Sequence, residues 1–201
     1  MTNSLLLPSI PTPLQWDLPP VASSIGHHGA LAITAGPRTD LFVNPAGTDV
    51  VLNAPRLLFA PEGNFMLSAR VTVEFAATYD AGALIVYAGA RSWGKLCFEY
   101  SPQQEPMIVS VVTQGFSDDA NAYVVAGHQT FLRMSRLGRA FAFHASDDGV
   151  YWRFIRNFTL DPQAQISAGF VAQSPTGAGC TATFDQIAYT PELLADLRSG
   201  V

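Results

Sequence analysis

A lysine, a glutamate and a tryptophan share one side of a single extended run, Trp93-Gly94-Lys95-Leu96-Cys97-Phe98-Glu99-Tyr100. Side chains of a strand alternate, so Trp93, Lys95, Cys97 and Glu99 face one way and Leu96, Phe98 and Tyr100 the other. Lys95 is the only lysine in the chain. Charges fixed in the middle of a strand must be hydrated, paired or bound to something. An indole beside them offers a flat apolar face on which a sugar ring stacks, while the charged groups supply donors and acceptors. At ~3.3 Å per residue, Lys95 and Glu99 stand about 13 Å apart. They are therefore read as two handles for different parts of one ligand rather than as a direct ion pair.

The same alternation selects companions from other runs. In Thr130–Arg136, Leu132 and Met134 alternate with Arg133 and Ser135; in Ala140–Ser146, Phe141 and Phe143 read as core and leave His144 outward. In Ser167–Gln173, Phe170 and Ala172 turn inward and Gln173 outward, whereas the position of Arg156 after Trp152 and Phe154 leaves its side open. Trp93, Lys95, Glu99, Arg133, Ser135, His144 and Gln173 are thus the candidate ligand-binding set on one sheet. The competing reading is an internal ion-pair network in which Lys95 or Arg133 neutralises Glu99, since such networks also hold charges in unusual places. No catalytic residue is assigned. An enzyme here would use Lys95, Glu99 and His144 with Arg133, yet glycoside hydrolysis needs a second carboxylate ~5 Å or ~6.5–9.5 Å from the first. Cys97 and Ser101 occupy the positions on the same strand where that acid would sit, and Glu74 lies on another run.

Other polar motifs read as structure. His27-His28 lacks the further ligands or the spacing of a metal site and reads as an exposed or turn-stabilising pair. Asp118-Asp119 offers too few oxygens for calcium and reads as a turn cap. Ser146-Asp147-Asp148-Gly149-Val150-Tyr151-Trp152 is a hairpin turn, one residue short of the Asp-box pattern, with Trp152 packed beneath it. Gly177-Ala178-Gly179 precedes a strand, not a helix, and so makes no phosphate loop. No metal and no cofactor are expected.

The elements that position these residues are strands. Phe65–Phe75 alternates Phe65, Leu67, Ala69, Val71, Val73 and Phe75 against polar neighbours, and Leu31–Thr34, Ala83–Ala88, Ile108–Thr113, Trp152–Phe158 and Ala182–Tyr189 follow suit between Gly, Pro, Asn and Asp turns. This spacing predicts an all-β fold, a two-sheet antiparallel sandwich of the jelly-roll kind. Thr190, Pro191 and the run through Leu197 predict a short C-terminal helix. Residues 1–24, rich in proline, are expected to be irregular and packed on the body with Trp16 as anchor; residues 25–201 form the single sandwich domain.

Several motifs in order resemble the regulation-of-enolase protein family within the concanavalin A-like lectin/glucanase superfamily. They are Thr39-Asp40-Leu41-Phe42, Tyr79-Asp80-Ala81-Gly82-Ala83-Leu84, the Trp93–Tyr100 run, Ser110-Val111-Val112-Thr113, Ser117-Asp118, Leu132–Arg136, the Ser146–Trp152 hairpin, Gly169–Pro175 and Phe184-Asp185. The resemblance spans about residues 39 to 189 and implies a concanavalin A-like jelly roll with a concave face. The segment 120–127 departs from it, lacking an aromatic or proline after the Ser-Asp pair.

Bulk composition narrows the function classes. Of 201 residues 48% are hydrophobic and 11% aromatic, enough for a real core, but only 13% are charged, against roughly 25% in average chains. Low charge leaves room for self-association, so a homo-oligomer is weighed evenly against a monomer. A net charge of −5 without any basic cluster argues against nucleic acid and anionic membranes. Leu5-Leu6-Leu7 is preceded by no basic region and followed by prolines, a poor signal peptide. Two cysteines, Cys97 and Cys180, make no disulfide framework, and the chain is expected in the cytoplasm. The expected function is a non-catalytic module binding a carbohydrate or small polar metabolite on the concave face. An enzyme acting on a sugar or small acid, and a protein-interaction or regulatory scaffold, are the alternatives.

Overall fold

The computed structural model describes residues 4–161 and 163–200. Strands β1 (Ser4–Leu5), β2 (Leu14–Leu18), β3 (Ala22–Ile25) and β4 (Leu31–Ala35) open the chain, with a 3-10 turn at His27–Gly29. There follow β5 (Leu41–Val43), β6 (Val50–Leu52), β7 (Arg56–Phe59), β8 (Phe65–Val73), β9 (Ala81–Tyr87) and β10 (Ser92–Tyr100). Next are β11 (Pro106–Gln114), β12 (Phe116–Val124), β13 (Gln129–Leu137) and β14 (Ala140–Ser146). The series closes with β15 (Arg153–Thr159), β16 (Ser167–Gln173) and β17 (Cys180–Thr190).

They assemble into the two antiparallel sheets of a sandwich. One has eight strands in the order β1-β2-β7-β16-β9-β10-β11-β12, the other seven in the order β15-β14-β13-β8-β17-β4-β3. A two-stranded ribbon, β5–β6, lies apart. The period of two in β8 buries Phe65, Leu67, Ala69, Val71 and Val73 while the residues between them stay half-buried. These pack in one core with Leu84, Val86, Leu96, Phe98, Leu132, Met134, Phe143, Phe170 and Phe184, drawn from both sheets. Each such side chain taken fully out of water contributes on the order of 1.5–3 kcal/mol.

A second apolar cluster lies on the outer wall of the eight-stranded sheet. Ala81, Ala83, Ile85, Trp93, Cys97, Val109, Val111 and Val171 are buried there under Leu41, with Phe42 and Leu52 packed alongside. The β5–β6 ribbon is therefore a roof. It is fastened at one end by the paired Thr39 and Ser174 backbones (3.1 Å each way) and at the other by Val43 N–H donating to Ser117 Oγ at 2.9 Å. Those two fastenings stretch the ribbon from β16 across β9, β10 and β11 to β12.

Two expectations fail at the ends of the chain. Within residues 4–24 the prolines sit in the connections, and the stretches between them become strands: β2 pairs with β7, and β3 with β4. Prolines that fall between strands remove no hydrogen bond from the ladder. Residues 1–3 lie outside the described residues. The predicted C-terminal helix does not form; residues 191–200 are bends and turns. The Asp196 carboxylate accepts the Arg198 and Ser199 N–H groups at 2.8 Å each, which caps a turn. So short a run cannot repay helix nucleation, and burial of Leu194 on the body holds it instead.

Candidate functional site

Lys95, Glu99 and Gln173 meet at a cavity of about 300 Å³ beside the roof, where Asp40, Phe42, Tyr79, Val109, Val111 and Asp119 complete the lining. Strand parity explains the meeting. Lys95 and Glu99 share the outward face of β10, and Gln173 lies in register with Ala81, which lies in register with Glu99. Short side chains at Ala81 and Ala83 on the intervening strand leave the room that the lysine stem crosses. Lys95 is 2% exposed. Its ammonium donates to Gln173 Oε1 at 2.6 Å and to Asp40 Oδ1 at 3.4 Å. Gln173 Nε2 in turn reaches the Tyr79 carbonyl at 3.4 Å.

The electrostatics follow from this geometry. Burial by itself depresses the Lys95 ammonium, but Asp40, helped by Cys97 and Glu99, outweighs it and leaves the group above its usual range, hence charged. Burial pushes Glu99 up to about 7; Lys95 opposes that rise, and Asp40 and Asp119 add to it. Among the described residues Glu99 forms no salt bridge. The cavity thus holds a fixed cation and a carboxyl group that titrates near neutrality.

Tyr79 at the mouth takes a backbone φ of 70°, a left-handed conformation costly for a tyrosine. The neighbouring loop holds it there. The buried Asp80 carboxylate accepts the Ala76 and Ala77 N–H groups at 2.9 and 2.8 Å and the Ser174 hydroxyl at 2.6 Å. Asp40, Phe42, Tyr79 and Asp119 were absent from the candidate set. Three of them lie in the Thr39–Phe42 and Tyr79–Leu84 motifs that carried the resemblance, which was the signal available. Asp119 is no turn cap: it lies within β12 opposite Val111, on the cavity side.

Trp93 is not a stacking platform. It is fully buried beneath the roof, its indole N–H unpaired, with the Lys95 ammonium 5.7 Å from the ring centre. Arg133, Ser135 and His144 lie on the outer wall of the opposite sheet, so the seven candidates do not converge. Residues 191–200 cover that wall: Arg133 donates to the Gly200 carbonyl at 2.5 Å, and His144 Nε2 pairs with the Leu197 carbonyl at 2.9 Å. The Arg133 guanidinium stacks 4.2 Å above the Trp152 ring. Burial pulls Arg133 down to about 10 and lowers His144 as well, which the Leu197 carbonyl opposes and Arg133 reinforces.

The remaining motifs resolve as structure. Asp148 Oδ1 accepts the Val150 and Tyr151 N–H groups at 2.8 Å each, a capped turn with Gly149 at φ 76°. Arg156 falls on the inner side and bridges the sheet edges through Asp118 at 3.0 Å. Cys97 and Cys180 are buried thiols pushed up to about 12, chiefly by burial. Among the described residues no helix is long and apolar enough to cross a membrane.

Fold and cavity together define a two-sheet antiparallel β-sandwich with a polar, roofed depression on one outer wall. The chain belongs to the family described as "Protein of unknown function (DUF1349)", whose model matches residues 16–192. No curated protein matches it in sequence. Solved structures share the fold. A functionally unknown protein from Saccharomyces cerevisiae superposes with a TM-score of 0.82 at 22% identity, over 90% of this chain and 97% of that one. The GH43 BlXynB protein from Bacillus licheniformis gives 0.74 at 16% identity over 89% of this chain; the match spans 37% of that protein. Carbohydrate binding module CBM66 from Bacillus subtilis gives 0.54 at 12% identity, over 87% and 94%.

Proposed function

We propose that this protein is a non-catalytic module that binds a single sugar ring, or a polar metabolite of that size, in the cavity around Lys95. One observation carries the reading: a buried ammonium, fixed by an amide and a carboxylate, lies in a roofed cavity of about 300 Å³ beside Glu99, which has no salt bridge among the described residues. That volume is at the small end of ligand pockets. Phe42, Val109 and Val111 supply the apolar walls and Tyr79 an aromatic rim. Support comes also from the shared fold of a carbohydrate binding module and of a GH43 protein. The ordered motifs are read as those of the regulation-of-enolase branch of the superfamily, and the two buried thiols as those of a cytoplasmic protein.

The test is a monosaccharide panel scored by melting temperature, because a ligand that binds only the folded state stabilises it. A stereospecific rise that disappears in Gln173→Ala and Tyr79→Ala supports the reading. A blank panel in the wild type refutes it. A second reading is favoured by the Glu99 carboxyl near 7, poised as a general acid with Asp119 or Asp40 as the other carboxylate. Release of nitrophenol from aryl glycosides, lost in Glu99→Gln, would establish that reading instead.

A further inference from the structure

A lone lysine in a polar cavity ordinarily suggests an anionic ligand. The hydrogen-bond inventory here reverses that expectation. Lys95 is already engaged by Gln173 and Asp40, and the Gln173 amide nitrogen by the Tyr79 carbonyl. On the acceptor side, Asp40 Oδ1 receives Lys95 and the Leu41 N–H at 2.7 Å. No donor among the described residues bonds the Glu99 or Asp119 carboxylates. The lining carries one cation, Lys95, and three acids, Asp40, Glu99 and Asp119. That leaves two negative charges in excess, or one when Glu99 holds a proton. An anion would have to displace Asp40 from Lys95 while facing Glu99 and Asp119. The acids do not gather into a set able to hold a metal ion, among the described residues.

We propose that the ligand is a hydroxylated amine about the size of one sugar ring, an amino sugar in chemical class. Its ammonium lies between Glu99 and Asp119, and its hydroxyls face Asp40, Lys95 and Gln173. A charge-assisted bond to a partly desolvated carboxylate is among the strong polar contacts. This inference rests on the reading of the cavity as a ligand site.

The experiment titrates the full chain at pH 7 with matched pairs by calorimetry: glucosamine against glucose, galactosamine against galactose, mannosamine against mannose. Glucuronate, galacturonate and methylamine complete the set. The expected result is that at least one amine binds on the order of tenfold tighter than its parent sugar. The uronates and methylamine should bind more weakly than that amine. Glu99→Gln should erase the amine preference while keeping the parent sugar. Parent sugars binding as tightly as their amines, or uronates binding tighter, overturns the amine assignment and leaves the sugar site standing. Methylamine matching the amino sugars overturns the role of the hydroxyls. Silence across the whole panel overturns both this inference and the site beneath it.

Discussion

Lys95 keeps its charge inside the protein because Asp40 stands 3.4 Å away and Gln173 2.6 Å away. Removing one partner strands the other, and the stranding costs more for the ammonium, 2% exposed, than for the Asp40 carboxylate, 21% exposed and so still hydrated. Asp40→Ala should therefore destabilise the fold by about 1–3 kcal/mol, and Lys95→Met by less, as measured by urea denaturation. Equal losses would mean that Asp40 does not hold the ammonium. Glu99 gives a prediction with a definite sign. Its folded value, about 7, lies above the ~4.3 of an unfolded glutamate. The folded state then binds the proton more tightly, so this stabilisation is complete below ~4.3 and is lost as pH rises through 7. Relative to wild type, Glu99→Gln should gain melting temperature between pH 5 and pH 8; a pH-independent difference would contradict the burial of Glu99. At this scale the sequence was informative about sidedness. Alternation put Lys95, Glu99 and Gln173 on outward faces, and those three meet. It could not say that Arg133, Ser135 and His144 belong to the other sheet, because parity orients a side chain relative to its own sheet only.

Among the elements, the strands in which apolar and polar side chains alternate were legible, β8, β13 and β14 above all. The edge strand β12 and the interior strand β7 were not. β12 carries Ser117, Asp118, Asp119 and Asn121 on both faces, which reads as a loop; Arg156 pairs Asp118 on one side and the cavity takes Asp119 on the other. β7, only four residues long, is buried at every position and shows no alternation at all. Its pairing with β16 depends on Gly169, where an added Cβ would collide with the Leu57 carbonyl oxygen. Backbone cannot yield as a flexible side chain does. Gly169→Ala should cost more than ~3 kcal/mol, or leave the chain insoluble; a soluble variant with an unshifted urea midpoint would show that the two strands separate freely. The C-terminal run carried helix-start signals, but length decided against them, and its Asp196 turn and Leu194 contact arise from the surface it covers.

For the molecule as a whole, the sandwich has two outer walls with different tenants. A roofed cavity occupies one and the chain's own residues 191–200 the other. Perturbing the second should not reach the first. Arg133→Met is expected to lower the melting temperature yet leave any sugar-induced rise intact, whereas Gln173→Ala should abolish that rise; parallel thermal melts with and without ligand decide it. The manner in which the ribbon is fastened has a kinetic corollary. Its ties join Thr39 to Ser174 and Val43 to Ser117, partners 135 and 74 positions apart along the chain. Contacts so remote in sequence are expensive to close. A guest under that ribbon would then be gripped only after the barrier to folding has been crossed. Stopped-flow measurements should find it retarding escape from the native state without hastening arrival there, and a quickened refolding phase would instead reveal a ribbon that locks down early.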